Sequence, residues 1–159
     1  WPWPAPLPAD RHNSGKRVGL VAFGIGVTEL YCVAASELRD PAVKEVVLLY
    51  ATRDREEQKV LEPELRELLE RHPDRFRLER TLTREEAEGF RSGRVSAEMM
   101  REVFPWAQGE RGDVRFLPSG TRDMIDQAWE MLEGLGYARK EHTLIRDASA
   151  GGLFARMFR

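Results

Sequence analysis

Cysteine is almost missing. Cys32 stands alone among 159 residues, which excludes an internal disulfide and any zinc site built from several thiolates. Lysine is scarce too, with 4 residues against 21 arginines, a bias that reads as genome composition before it reads as function. Neither sign of charge is in excess, since the formal net charge is −2. A nucleic-acid surface needs clustered positive charge, and none stands out. No apolar run approaches the length of a transmembrane helix. What remains is 42% hydrophobic and 33% charged residues, a mixture able to bury one core in a chain of single-domain size.

The chain divides into an extended Trp/Pro-rich leader over 1–14, a domain over 15–147 and a short tail over 148–159. Alternation of Pro2, Pro4, Pro6 and Pro8 with apolar residues favours polyproline-like extension. A start at Trp1 reads as a processed chain or a fragment. Within the domain, short apolar runs predict strands near 17–23, 45–51, 75–82, 113–118 and 142–146. Helical spacing predicts helices from Thr28 to Leu38 and from Asp54 to Arg71, the latter starting properly near Pro63. A third helix is capped by Ser96 and runs to Val103. A fourth begins at Gly120, with Met124, Ile125, Ala128, Met131, Leu132 and Leu135 on its core face, and Gly136 closes it. Strands that alternate with helices call for an α/β fold with a parallel sheet covered on both faces.

The first place for a ligand is the strand-to-helix turn Phe23-Gly24-Ile25-Gly26-Val27-Thr28. Glycines let the backbone approach a ligand, and the following helix offers unpaired N–H groups to a phosphate. The turn lacks the third glycine of the dinucleotide fingerprint, which disfavours an ordinary Rossmann dehydrogenase. Asn13-Ser14-Gly15-Lys16 is no phosphate loop, because a strand follows it and the upstream glycine is missing. Cys32 falls inside a helix and reads as a buried, inert thiol. His12, His72 and His142 show no ligand spacing and read as surface or capping residues. Glu56-Glu57 and Glu85-Glu86 read as solvated or first-turn charges. No catalytic residue and no metal ligand is assigned.

Five blocks, taken in order, resemble the pyridine-nucleotide half of the ferredoxin reductase superfamily, most closely NADH–cytochrome b5 reductase and nitrate reductase. Phe23 to Leu30 is similar to the family's G-G-T-G-I-T-P-M turn, and Leu48 to Asp54 to its L-x-Y-A-N-x-T segment. Thr81-Leu82-Thr83 and Gly93-Arg94-Val95-Ser96 resemble the L-S and G-R-V-T pair. Ser119-Gly120-Thr121-Arg122-Asp123-Met124 stands where the family has C-G-P-P-x-M, and Leu135-Gly136-Tyr137 matches the L-G-Y close of the next helix. The resemblance implies a three-layer, Rossmann-like, five-stranded parallel sheet in the order 3-2-1-4-5. It also implies that Gly24, Gly26 and Thr28 lie under the pyrophosphate and nicotinamide ribose, that Thr52 and Arg53 bind the cofactor from the end of the second strand, that Thr83 and Arg94 fall in the region facing the adenosine half, and that Ser119 and Gly120 flank the nicotinamide.

Departures from the pattern shift the functional expectation. Ile25 replaces a threonine, Phe23 a glycine and Glu29 a proline, the last placing a carboxylate at the mouth of an anion site. Ser119 replaces the family's cysteine, and Thr121 and Arg122 replace its two prolines. The flavin barrel's R-x-Y-[ST] motif does not occur, so FAD is not expected on this chain alone. The first expectation is a degenerate reductase-like domain serving as an accessory or structural subunit of a larger assembly, with weak or no dinucleotide binding. No resident cofactor is expected; NAD(P)H is the one that the resemblance admits. Two alternatives stand beside it: the NAD(P)H-binding half of a split, flavin-dependent electron-transfer oxidoreductase, and a nucleotide-sensing module. Other protein subunits are the expected partners, through leader and tail, with no nucleic acid and no transmembrane segment. A mitochondrial location fits this reading, with the cytoplasm as the alternative.

Overall fold

In the computed structural model the described residues are 15–145, so the leader, residues 146–147 and the whole of the tail lie outside them. The centre is built from two runs that are apolar on both faces, β1 (Arg17–Phe23) and β2 (Glu45–Thr52). They pair in parallel, Leu20 opposite Leu48. β3 (Phe76–Leu82) adds to β2, and β5 (Val114–Ser119) adds to the other side of β1. A two-residue strand, β4 (Arg91–Ser92), completes the edge beyond β3. The sheet is five-stranded and parallel, in the order β4-β3-β2-β1-β5. Continuous apolar strands belong in such a sheet because helices cover both of its faces.

Strand alternation sends Val18, Leu20 and Ala22 to one face with Val46, Leu48 and Tyr50. There they meet α1 (Val27–Glu37) and α3 (Glu62–Arg71), the latter through Leu65 and Leu68. Val21, Val47 and Leu49 take the opposite face. α4 (Ala97–Val103) and α5 (Arg122–Gly134) cover it with Met100, Val103, Ala128, Trp129 and Leu132. Phe116 is the hub of this side, with ring centroids of Phe104, Trp106 and Tyr137 between 4.8 and 5.7 Å from its own. Three layers result, as expected.

The central order 3-2-1-4 of the expected strands is the one observed. The edges differ. Over the described part of 142–146, pairing is limited to one parallel bridge, Thr143 to Phe116, with the Leu144 N–H donating to the Phe116 carbonyl at 2.9 Å. The residues before it form a helical turn instead, α6 (Arg139–His142). His142 is buried there, not at the surface, with Nδ1 3.0 Å from the Val114 carbonyl oxygen. A side chain therefore takes an edge group of β5 that a fifth backbone strand would have used. On the far edge, β4 arises from two polar residues that carry no strand signal. The helix expected from Asp54 begins with α2 (Arg55–Gln58), capped by Asp54, and passes through a tight 3-10 turn before α3. The helix expected to begin at Gly120 has Thr121 as its N-cap, whose hydroxyl accepts from the Met124 N–H at 3.3 Å.

Candidate functional site

A cleft of about 830 Å³ opens at the carboxyl ends of β1, β2 and β5, where open α/β sheets place their ligands. Its floor is the turn after β1. Gly24 sits at φ +58, in the left-handed region that only glycine enters freely. Gly26 is required for a different reason: a β-carbon there would stand 2.7 Å from the Ser119 carbonyl carbon. That close approach brings the start of α1 against the end of β5. Gly120 in turn packs on Phe23, whose Cβ would lie 2.9 Å from a side chain placed there.

Eight of the nine residues expected to face a nucleotide line this one cleft: Gly24, Gly26, Thr28, Thr52, Arg53, Thr83, Ser119 and Gly120. Arg94 does not. It is exposed and lies outside the lining, carried away by Gly93, which takes φ +101 and donates its N–H to the Leu82 carbonyl. Several of the eight have their polar groups engaged. The Thr52 hydroxyl is buried, donates to the Asp54 carbonyl at 2.8 Å and accepts from Gln58 Nε2 at 2.9 Å. The Thr28 hydroxyl donates to the Ile25 carbonyl at 2.9 Å. Arg53 is clamped by Glu57, which takes both its Nε and its terminal guanidinium nitrogen at 2.6 Å.

Opposite that clamp is the feature with the strongest electrostatic consequence. Ser119 Oγ donates to Glu29 Oε2 at 2.6 Å, joining the end of β5 to the first turn of α1. The charged side chains lining the cleft are Glu29, Arg53 and Glu57. Since Arg53 and Glu57 neutralise one another, Glu29 faces no cationic side chain among the described lining residues, and its charge cancels the positive end of α1 that an anion would use. Arg122 is exposed and outside the lining. Beneath the turn, burial and then the nearby Glu29 push the Cys32 thiol up to about 11. The thiol is buried and protonated, as its helical position implied. Burial, aided by Glu57, likewise pushes Tyr50 up to about 12, and its hydroxyl donates to the Glu57 carbonyl.

Sequence reasoning missed Tyr50, Glu57, Val60 and Thr121 as lining residues. Met124 was expected on the core face of its helix, yet it is 41% exposed and faces the cleft. The one signal that could have marked Val60 is its place beside Leu61 in an otherwise charged and polar run. Among the described residues, no group of three or more His, Cys, Asp or Glu side chains could hold a metal ion.

The apolar walls of the cleft suit a nucleoside, while Glu29 places a carboxylate at the turn after β1, where a pyrophosphate would bring like charge. The lining side chains supply shape and hydrogen bonds; hydride chemistry would belong to a bound cofactor and its acceptor.

Residues 20–130 match the model of the oxidoreductase NAD-binding domain. The chain is 35% identical over 127 residues to NADH-cytochrome b5 reductase 1 of Bos taurus, covering 79% of this chain and 41% of that protein. It is 32% identical over 133 residues to the NADH nitrate reductase of Volvox carteri, covering 82% of this chain and 15% of the relative. Among solved structures, the cytochrome b5 reductase domain of Ulva prolifera nitrate reductase superposes with a TM-score of 0.69 at 27% identity, over 81% of this chain and 48% of that one. A Neisseria gonorrhoeae ferredoxin NADP+ reductase with bound FAD and NADP shares the fold, with a TM-score of 0.60 at 23% identity over 83% of this chain and 53% of that one. The chain thus spans less than half the length of these two sequence relatives. Matched from its first strand into its fifth helix, the chain belongs to the oxidoreductase NAD-binding domain family.

Proposed function

We propose that this domain is a cytochrome b5 reductase-type nucleotide half that has lost most of its dinucleotide affinity and serves as an accessory part of a larger assembly. The observation that carries this reading is the Glu29 carboxylate, held toward the cleft by Ser119 at 2.6 Å. A helix N-terminus attracts an anion because its N–H groups and dipole present about half a positive charge. Glu29 stands in the first turn of α1 and offsets that charge from within the helix. Its repulsion of one phosphate charge about 6 Å away is roughly 3 kcal/mol at an effective dielectric constant near 20. Arg53 cannot compensate while Glu57 holds it.

Calorimetric titration with NADH and with NADPH tests the reading. The expected result is binding much weaker than micromolar for both. Micromolar or tighter binding of either overturns it.

The alternative is a competent NAD(P)H-binding half that works on a flavin supplied elsewhere. What favours it is that the cleft remains open, with eight of the expected residues on its walls. Tight dinucleotide binding, together with dye reduction when a flavin domain is added, would select it.

A further inference from the structure

Among the described residues, the exposed large apolar side chains are Ile25 at 84%, Val60 at 54%, Met124 at 41% and Ile145 at 46%. The first three line the cleft, on three separate elements. Its lip is therefore apolar and its interior carries the charge of Glu29. A ligand complementary to both is apolar and cationic, the opposite of a pyrophosphate.

This chain contains such a segment. Residues 153–159 read Leu-Phe-Ala-Arg-Met-Phe-Arg, four large apolar side chains and one alanine, with two arginines between and after them. They lie outside the described residues, but the place from which they depart is described. Thr143 pairs in parallel with Phe116 of β5, so the last described residues, Leu144 and Ile145, head in the direction of Ser119, toward the carboxyl ends of the strands. Ser119 lies three residues past Phe116, about 10 Å along a strand, and the ends of β5 and β2 are two strand spacings apart, about another 10 Å. Seven residues lie between Ile145 and Leu153, and the eight steps from one to the other span up to ~26 Å when extended. The segment can reach the cleft without strain.

We infer that the cleft is a docking groove for residues 153–159 of the same chain, with Arg156 or Arg159 facing Glu29 and the aromatic side chains against Ile25, Val60 and Met124. The proposal shares Glu29 with the function proposed above and otherwise stands apart from it. A docked tail would occupy the place of a nucleotide and cover apolar surface that is otherwise exposed.

The test compares methyl NMR spectra of the full chain with those of two full-length variants. One is Phe154→Ser with Met157→Ser and Phe158→Ser; the other is Arg156→Glu with Arg159→Glu. In both, the methyl signals of Ile25, Val60 and Met124 should shift, while those of Leu20 and Leu48 in the core stay in place. Dilution should leave the wild-type spectrum unchanged, and light scattering should report a monomer. Unchanged signals at Ile25, Val60 and Met124 in both variants overturn the proposal. So do signals that move with protein concentration alongside a doubling of mass, which would make the occupant a second copy. Tight NADH binding would refute the loss of dinucleotide affinity, yet it would leave this spectral test with its own outcome.

Discussion

Glu29 is the third helical residue of α1, counted from the Gly26 cap, a place where a carboxylate normally stabilises a helix through the dipole. Here that benefit to the fold works against an anionic ligand. Glu29→Gln keeps an oxygen to accept from Ser119 and removes the charge. NADH affinity measured by titration should rise by about tenfold or more, equivalent to at least roughly 1.4 kcal/mol, solvent screening and the lost dipole interaction keeping it below the full repulsion; an unchanged affinity would mean that Glu29 is not what weakens binding. Cys32 yields a pH prediction from the same neighbourhood. The unfolded thiol ionises near the ordinary value of 9.0, whereas in the folded state burial holds it up to about 11. Between these values the unfolded chain releases a proton that the folded chain retains, so stability is fully present below pH 9 and falls as pH rises toward 11. Denaturation midpoints in urea at pH 8, 9.5 and 10.5 should decline, and Cys32→Ala should flatten the decline over its first part. Tyr50, with its own upward displacement, would sustain the loss at higher pH. At this scale the sequence was informative where a residue's role is local. The buried thiol followed from helical position alone. Met124 did not, because helical spacing brings a residue to one side of a helix without saying where the protein below it ends.

Caps and strand edges show the same division between local and long-range causes. Ser96 was legible as an N-cap, and its hydroxyl accepts from the Met99 N–H at 3.1 Å. At α5 the glycine drew attention away from Thr121, although the threonine three residues before Met124 has the right chemistry. Ser96→Ala and Thr121→Ala should each cost about 1 kcal/mol in chemical denaturation, whereas a change of that size is not expected at the neighbouring exposed Arg122. A loss well under half that value at Thr121 would assign the start of α5 to packing instead. The central strands β1 and β2 were readable because burial on both faces demands continuous apolar residues. β4 was not, since Arg91 and Ser92 join the sheet through backbone geometry. Thr81 Oγ1 donates to the Gly93 carbonyl at 2.7 Å, and the Gly93 N–H donates to the Leu82 carbonyl at 2.9 Å. Apolar pattern predicts what is buried, and an edge pair of polar residues buries little.

Across the whole molecule, the two core clusters run from Val18 to Leu144, one on each face of the sheet, and helices from within that range cover both. The Glu45 carboxylate ties the amino ends of the central strands, accepting from Arg17 at 2.8 Å, Arg77 at 3.0 Å and Trp106 Nε1 at 3.0 Å. Arg75 does similar work by donating to the carbonyls of Leu38, Asp40 and Val43, which fastens the loop before β2 to the start of β3. Neither device needs residues beyond 15–145. A chain reduced to those residues should therefore unfold in one cooperative transition, with coincident circular dichroism and tryptophan fluorescence curves. Its midpoint should remain close to that of the full chain, because the sheet, both helical layers and these ties are all retained. Loss of cooperativity on removing 1–14 and 146–159 would instead show that the outer segments belong to the core. If the shortened chain stays folded, what those segments contribute lies in recognition. For residues 146–159 that contribution would be seen at the cleft, as a change at Ile25, Val60 and Met124 without a matching change in the unfolding midpoint.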